Sequence, residues 1–207
     1  MTPTNPDPTY APTPFAGTFA DDADTLARLH SRLAASADDE GLLDVAYRLV
    51  DTPVGSLLLA ATEQGLVRVA YVAEGQDEVL QQLVDRISPR VLLAPARLEL
   101  AARQLDEYFA RHRVRFDVPL DLRLSAGFRR QVLGTLRELD HGTTASYASV
   151  AASTGSPNAV RAVGTACATN PLPVVIPCHR VIRTDGSLGG YVGGTAAKQT
   201  LLELEAA

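Results

Sequence analysis

A chain of 207 residues, 46% hydrophobic and 21% charged, can bury a full core in one domain or two small ones. No apolar stretch approaches bilayer length, and the first twenty residues lack a basic start followed by an apolar run, so membrane insertion and export are not expected and the cytoplasm is the expected address. The formal charge of −5 is uneven: residues 1–120 hold 11 Lys+Arg against 18 Asp+Glu, net −7, and residues 121–207 hold 8 against 6, net +2.

Met1 to Ala20 carries Pro3, Pro6, Pro8, Pro12 and Pro14 among threonines, which blocks helix and sheet pairing and reads as a disordered tail. Asp21 to Ala37 spaces Leu26, Leu29 and Leu33 along one face of a short acidic helix with no legible role. Apolar runs at Val45–Val50, Ser56–Ala61 and Leu66–Val72, broken at Pro53-Val54-Gly55 and Glu63-Gln64-Gly65, predict a strand meander. Helices are expected over Asp77–Ile87 and Pro95–Arg111, then a strand over Val114–Leu120. This half is an α+β unit in which no catalytic group stands out.

After Leu124 the pattern turns helical. Ser125 is a candidate cap for a helix presenting Phe128, Val132, Leu133 and Leu136. Ser146–Ala152 predicts a second helix, Thr154-Gly155 a turn, and Ser156-Pro157 the start of a third that runs to about Thr169. The last two, joined through a glycine turn, form a helix-turn-helix pattern. Around Arg161 the third helix carries only small residues, among them Ala159, Ala162, Gly164, Ala166 and Ala168. Taken alone, such small residues point first to tight packing inside the protein and second to close approach to a minor groove. From His141 to Thr184 there is no Asp or Glu, while Arg161, Arg180 and Arg183 supply positive charge, a window that suits phosphates or arises equally from chance or burial.

The chemistry concentrates at Ile176-Pro177-Cys178-His179-Arg180. A thiol attacks only as its thiolate, and His179 and Arg180 offer a base and a positive field. The prolines at 171, 173 and 177 predict a stiff, extended approach, on which His179 points away from Cys178 and reaches it through a bridging water. An imidazole acting as base needs its other nitrogen held, and Glu203 and Glu205 are the unassigned acids downstream. Two cysteines, Cys167 and Cys178, are too few for a disulfide framework, and neither a metal nor a cofactor is expected. Cys167 reads as a small packing residue.

Pro177-Cys178-His179-Arg180, preceded by Arg161-Ala162-Val163-Gly164 and Asn170-Pro171 and followed by Gly189-Gly190-Tyr191-Val192-Gly193-Gly194, resembles the O6-alkylguanine-DNA alkyltransferases. The likeness runs from about Phe128 to Glu205, more loosely over Val45–Leu120, and leaves residues 1–40 outside. It implies an α+β protein of two domains: a ribonuclease-H-like α/β domain over residues 41–122, and over 123–207 a helical domain with a winged-helix-like helix-turn-helix that binds DNA and carries the alkyl acceptor, after a tail and acidic helix over 1–40.

It further implies that Cys178 accepts the alkyl group once and irreversibly, that His179 takes the thiol proton through water, that Glu205 orients His179, and that Asn170 braces the turn. Tyr147 is implied to help rotate the nucleotide and to donate a proton to O6, and Arg161 to fill the vacated space. Pro173, Val181 and Tyr191 are implied to surround the base with Lys198 nearby, and Arg129, Ser156 and Thr184 to contact phosphates. The expected partner is double-stranded DNA carrying O6-alkylguanine, bound from the minor groove by a monomer.

Leu133, Asp140-His141 and Thr143 depart from the family pattern, and the zinc ligands of some members are absent from the N-terminal half. Three other readings compete. A non-catalytic alkyltransferase-like lesion binder would lack the thiol at 178. A helix-turn-helix regulator would need more base-reading side chains than one arginine. A thiol hydrolase would turn over on an acyl substrate.

Overall fold

The computed structural model describes residues 19–206, with side chains from residue 24 onward. The proline-rich segment expected to be disordered lies almost wholly outside the described residues. The acidic helix is α1 (Phe19–Asp39), and its Leu26, Leu29 and Leu33 face outward at 52–56% exposure, so the leucine stripe does not enter the core. Ala34 on another face is buried, and Arg97 pairs with Asp38 at the helix end.

The expected meander is present as β1 (Val45–Val50), β2 (Leu57–Thr62) and β3 (Gly65–Tyr71), followed by α2 (Gln76–Arg86), β4 (Val91–Leu93) and α3 (Glu99–Phe109). The sheet order is β3-β2-β1-β4, antiparallel except for the parallel β1–β4 pair. Every residue of β2 is buried because both faces of the sheet are covered. Leu58 and Ala60 pack with Val79 and Leu83 of α2, whereas Leu57, Leu59 and Ala61 enter the core shared with α3 and the C-terminal helices.

Pro95–Leu98 forms a separate 3₁₀ turn before α3, so the predicted single helix from Pro95 to Arg111 is shorter and begins at Glu99. Val114–Leu120 is not a strand: only Leu120 bridges, to Leu66. Pro119 has no N–H to give, and Gly65 lies so close that an added Cβ would sit 2.3 Å from the Pro119 carbonyl oxygen.

The second unit holds α4 (Gly127–Arg137), β5 (Ala145–Ser146), α5 (Tyr147–Ser153), α6 (Val160–Ala168), β6 (Val181–Ile182) and α7 (Gly194–Glu205). Ser125 does not cap α4. It is buried in a turn, and Gly127 at φ 54° places a left-handed residue between it and the helix body. Ser146 does cap α5, accepting from the Ser149 amide at 3.0 Å. The third helix starts four residues later than Ser156, because Pro157-Asn158 sits in a turn closed by the Ala159 amide on the Ser156 carbonyl at 2.9 Å. Helices α4, α5 and α6 pack on one another through Val132, Leu133, Leu136, Val150, Ala151, Val163 and Ala166. A two-residue parallel ladder, β5 on β6, ties the start of α5 to the segment that follows Cys178.

Candidate active site

Residues 170–180 are continuously buried. Within them Val174 adopts φ 70°, a left-handed conformation that costs a β-branched residue on the order of 1–3 kcal/mol. Asn170 holds the turn that contains it: its amide nitrogen donates to the Ile176 carbonyl at 2.9 Å, and its oxygen accepts from the Leu172 amide at 3.0 Å. The same amide nitrogen donates to Cys178 Sγ at 3.2 Å. One side chain thus fixes both the turn and the sulfur.

Cys178 does not lie on extended backbone. Residues Cys178–Arg180 form a 3₁₀ turn entered through Pro177. Burial pushes the Cys178 thiol up to about 11, opposed by the Asn170 hydrogen bond and the Lys198 charge. The resting group is therefore a neutral thiol, and ionisation requires a base.

His179 supplies a lone pair. Its Nε2 lies 2.9 Å from Glu205 Oε1, which fixes the proton on Nε2, and its Nδ1 is buried with no hydrogen-bond partner among the described residues. Burial lowers the His179 pKa despite Glu205, so the ring is neutral at neutral pH. Arg180 does not act on the thiol as expected. It is 6% exposed and gives Nε and a terminal nitrogen to Glu205, each at 2.8 Å, and another nitrogen to the Leu139 carbonyl at 2.6 Å. It therefore leaves the set of arginines open to phosphates, where Arg161 and Arg183 remain exposed.

Glu205, not the exposed Glu203, is the acid on His179. It also accepts from Tyr108 Oη at 2.6 Å and from the Gly142 amide at 3.3 Å. Burial acts to raise its pKa, but the hydrogen bonds from His179, Arg180 and Tyr108 win and hold it below the ordinary carboxylate range. Tyr108 comes from α3, so the first unit does contribute a group to the site, contrary to expectation.

A cavity of about 520 Å³ opens beside this centre, lined by Tyr147, Val160, Gly164, Ala168, Arg183, Gly189, Tyr191 and neighbouring residues. That size suits a small organic ring system. The small residues of α6 form one of its walls, and Arg161 stands exposed one position from Val160. Tyr147 reaches the opposite wall, where its hydroxyl would lie 3.0 Å from a Cβ added at Gly189, a residue at φ 67°. Burial raises the Tyr147 pKa, so it stays a proton donor at neutral pH.

The remaining expected residues divide. Pro173 and Val181 are buried and do not line the cavity. Lys198 is fully buried and donates to the Val181 carbonyl at 2.6 Å and to the Leu188 carbonyl, tying α7 to both ends of the intervening loop. Arg129 opens on a separate cleft shared with Arg68, Arg86 and Thr169. Ser156 is half-buried and Thr184 exposed. Cys167 is buried in the core, as expected of a packing residue.

Two family models match the chain: the 6-O-methylguanine DNA methyltransferase ribonuclease-like domain over residues 45–122 and the DNA binding domain of the same enzyme over 127–207. The chain belongs to the 6-O-methylguanine DNA methyltransferase family. Within it, the chain is 40% identical over 161 residues to a methylated-DNA–protein-cysteine methyltransferase of Mycolicibacterium paratuberculosis, covering 78% of this chain and 92% of that one. A constitutive enzyme of the same name from Bacillus subtilis is 37% identical over 163 residues, covering 77% and 94%.

Among solved structures, the O6-methylguanine methyltransferase of Mycobacterium tuberculosis is similar at TM-score 0.70 and 37% identity, covering 78% of this chain and 93% of that one. A complex of the mycobacterial protein with DNA is similar at TM-score 0.69 and 37% identity, covering 78% and 92%. The α+β architecture of a ribonuclease-like unit followed by a DNA-binding unit is thus that of the family. Among the described residues there is no group of His, Cys, Asp and Glu placed to hold a metal ion, and no helix long and apolar enough to cross a membrane.

Proposed function

We propose that the chain repairs DNA by moving the alkyl group of O6-alkylguanine, and of O4-alkylthymine, onto Cys178, once per molecule. The observation that carries this reading is the pairing of a buried, Asn170-bound thiol with a neutral imidazole. His179 Nδ1 has no hydrogen-bond partner among the described residues, and its Nε2 is fixed by Glu205. A water between Sγ and Nδ1 takes the thiol proton to His179. The sulfur attacks the alkyl carbon, the carbon–O6 bond breaks as the carbon–sulfur bond forms, and the purine regains a proton, for which the Tyr147 hydroxyl is the donor. The product thioether has no good leaving group, so no step regenerates the protein.

An in-stack base cannot present its O6 substituent to a buried sulfur, so the nucleotide must be rotated out, at a cost of a few kcal/mol. Arg161, exposed on the helix of small residues that forms one cavity wall, is the side chain to replace it, in the minor groove. Arg129, Ser156 and Thr184 are proposed phosphate contacts, and Pro173, Val181 and Lys198 shape the site from behind the cavity wall. Residues 123–207 carry the DNA and acceptor functions on a support formed by 41–122. The protein acts as a cytoplasmic monomer.

The Arg161→Ala variant tests extrusion. We expect its transfer rate on duplex DNA to fall about tenfold or more, corresponding to about 1.4 kcal/mol, with little change on free O6-benzylguanine, in a single-turnover assay. Equal losses on the two substrates remove Arg161 from that role. Binding of lesion DNA by Cys178→Ala without repair, against full repair by the unaltered chain, separates this reading from that of a lesion binder.

A further inference from the structure

Strand β3 ends in Tyr71, which is 4% exposed and does not line the cavity. Its hydroxyl donates to the Tyr191 hydroxyl at 3.2 Å, and the two rings meet edge to face with centroids 6.0 Å apart. Tyr191 in turn stands edge-on to His179, with centroids 6.3 Å apart. The backbone beyond it is pressed onto the Tyr71 ring: a Cβ added at Gly193 would come within 2.2 Å of the ring carbons. Behind this contact a second cleft of about 390 Å³, lined by Val54, Ser56, Tyr71, Val192 and Gly193, lies back to back with the base cavity, which also reaches Tyr191 and Val192. Tyr71 is thus the prop that keeps the 191–193 segment on the reaction side of two adjoining spaces.

Resting on the function proposed above, we propose that Tyr71 determines which alkyl groups the site accepts. It holds Tyr191 and the 191–193 backbone close to Cys178, so that a methyl group fits between sulfur and base and a bulky group is resisted. Tyr191 stands against His179, which shares the Cys178–Arg180 turn with the sulfur. Burial raises the Tyr71 pKa to about 12, and after the Tyr191 hydrogen bond, which lowers it, the charge of a Cys178 thiolate is the next influence. For Tyr191, burial and then that same charge raise the pKa. A substituent on the attacked carbon has to share this space with the two rings. Removing the Tyr71 ring lets the wall retreat into the rear cleft.

The test is single-turnover transfer from duplexes carrying O6-methylguanine or O6-benzylguanine to the full chain, Tyr71→Leu and Tyr71→Phe. In Tyr71→Leu the benzyl-to-methyl rate ratio should rise about tenfold, within the range by which shape alone discriminates substrates, while methyl transfer falls less than about threefold. Tyr71→Phe keeps the ring against Gly193 and loses only the bond to Tyr191, so it should fold as the parent does and raise the ratio about threefold. If Tyr71→Leu does not fold, Tyr71→Phe decides the matter. Unchanged ratios with methyl transfer retained overturn the inference and leave the proposed function standing. Failure of the unaltered chain to accept either group overturns both.

Discussion

Replacing Glu205 by alanine should destabilise the protein by about 3–5 kcal/mol, the cost of stranding one partner of a buried ion pair. Glu205 is 5% exposed, receives two hydrogen bonds from Arg180, and ties in Tyr108, His179 and the Gly142 amide. Without the carboxylate, a buried guanidinium keeps, among the described residues, the Leu139 carbonyl alone. Urea unfolding at neutral pH measures the loss. The folded-state pKa of Glu205 is depressed, so its contribution is fully present above the unfolded carboxylate value and disappears as pH falls through the folded one. The difference between the two proteins should therefore narrow in acid. A small loss at pH 7 would mean that Arg180 finds another partner and that Glu205 is not the keystone of the 178–180 turn.

The His179→Asn variant should lose a factor of about 10²–10⁴ in transfer rate at pH 7, the usual worth of a positioned general base. Its pH dependence is the more telling readout. In the parent, His179 is neutral above its lowered pKa and the thiol remains protonated until about pH 11, so the relay operates at constant efficiency in between and the rate is flat. Without the imidazole only direct ionisation of the thiol remains, and that grows with pH. The variant's rate should climb about tenfold per pH unit through the neutral and mildly alkaline range. A flat profile in the variant would show that another group takes the proton.

Local signals carried most of the fold. The three meander strands and the helices α2, α4 and α5 follow from apolar spacing and turn residues, and each lies within a few residues of its expected span. Errors arose where tertiary contact overrode local pattern. Val114–Leu120 reads as a strand but has one bridge, because Pro119 cannot donate and Gly65 already occupies the approach. Leu26, Leu29 and Leu33 have helical spacing, yet the buried contact of α1 runs through Ala34. Strand β4 has three residues, too few to show a period.

The grouping of Cys178, His179 and Asn170 was legible because these residues are contiguous or lie in motifs. The site was not legible where function depends on a fold-level contact. Tyr108 bonds an acid 97 positions away, and Tyr71 a phenol 120 positions away. In sequence, both are ordinary aromatic residues at the end of a helix or strand. Arg180 was misplaced for a related reason: charge in a sequence suggests solvent or DNA, and only packing shows that this guanidinium is spent on a buried carbonyl and a carboxylate.

The most direct measurement is the intact mass of the protein after exposure to excess duplex containing O6-methylguanine, with peptide mapping and a count of guanines restored. One methyl group per polypeptide, on Cys178, with one lesion removed for each and none in Cys178→Ala, is the expected result. Removal of several lesions per chain, or loss of the lesion while the protein's mass is unchanged, would contradict capture of the alkyl group by this sulfur.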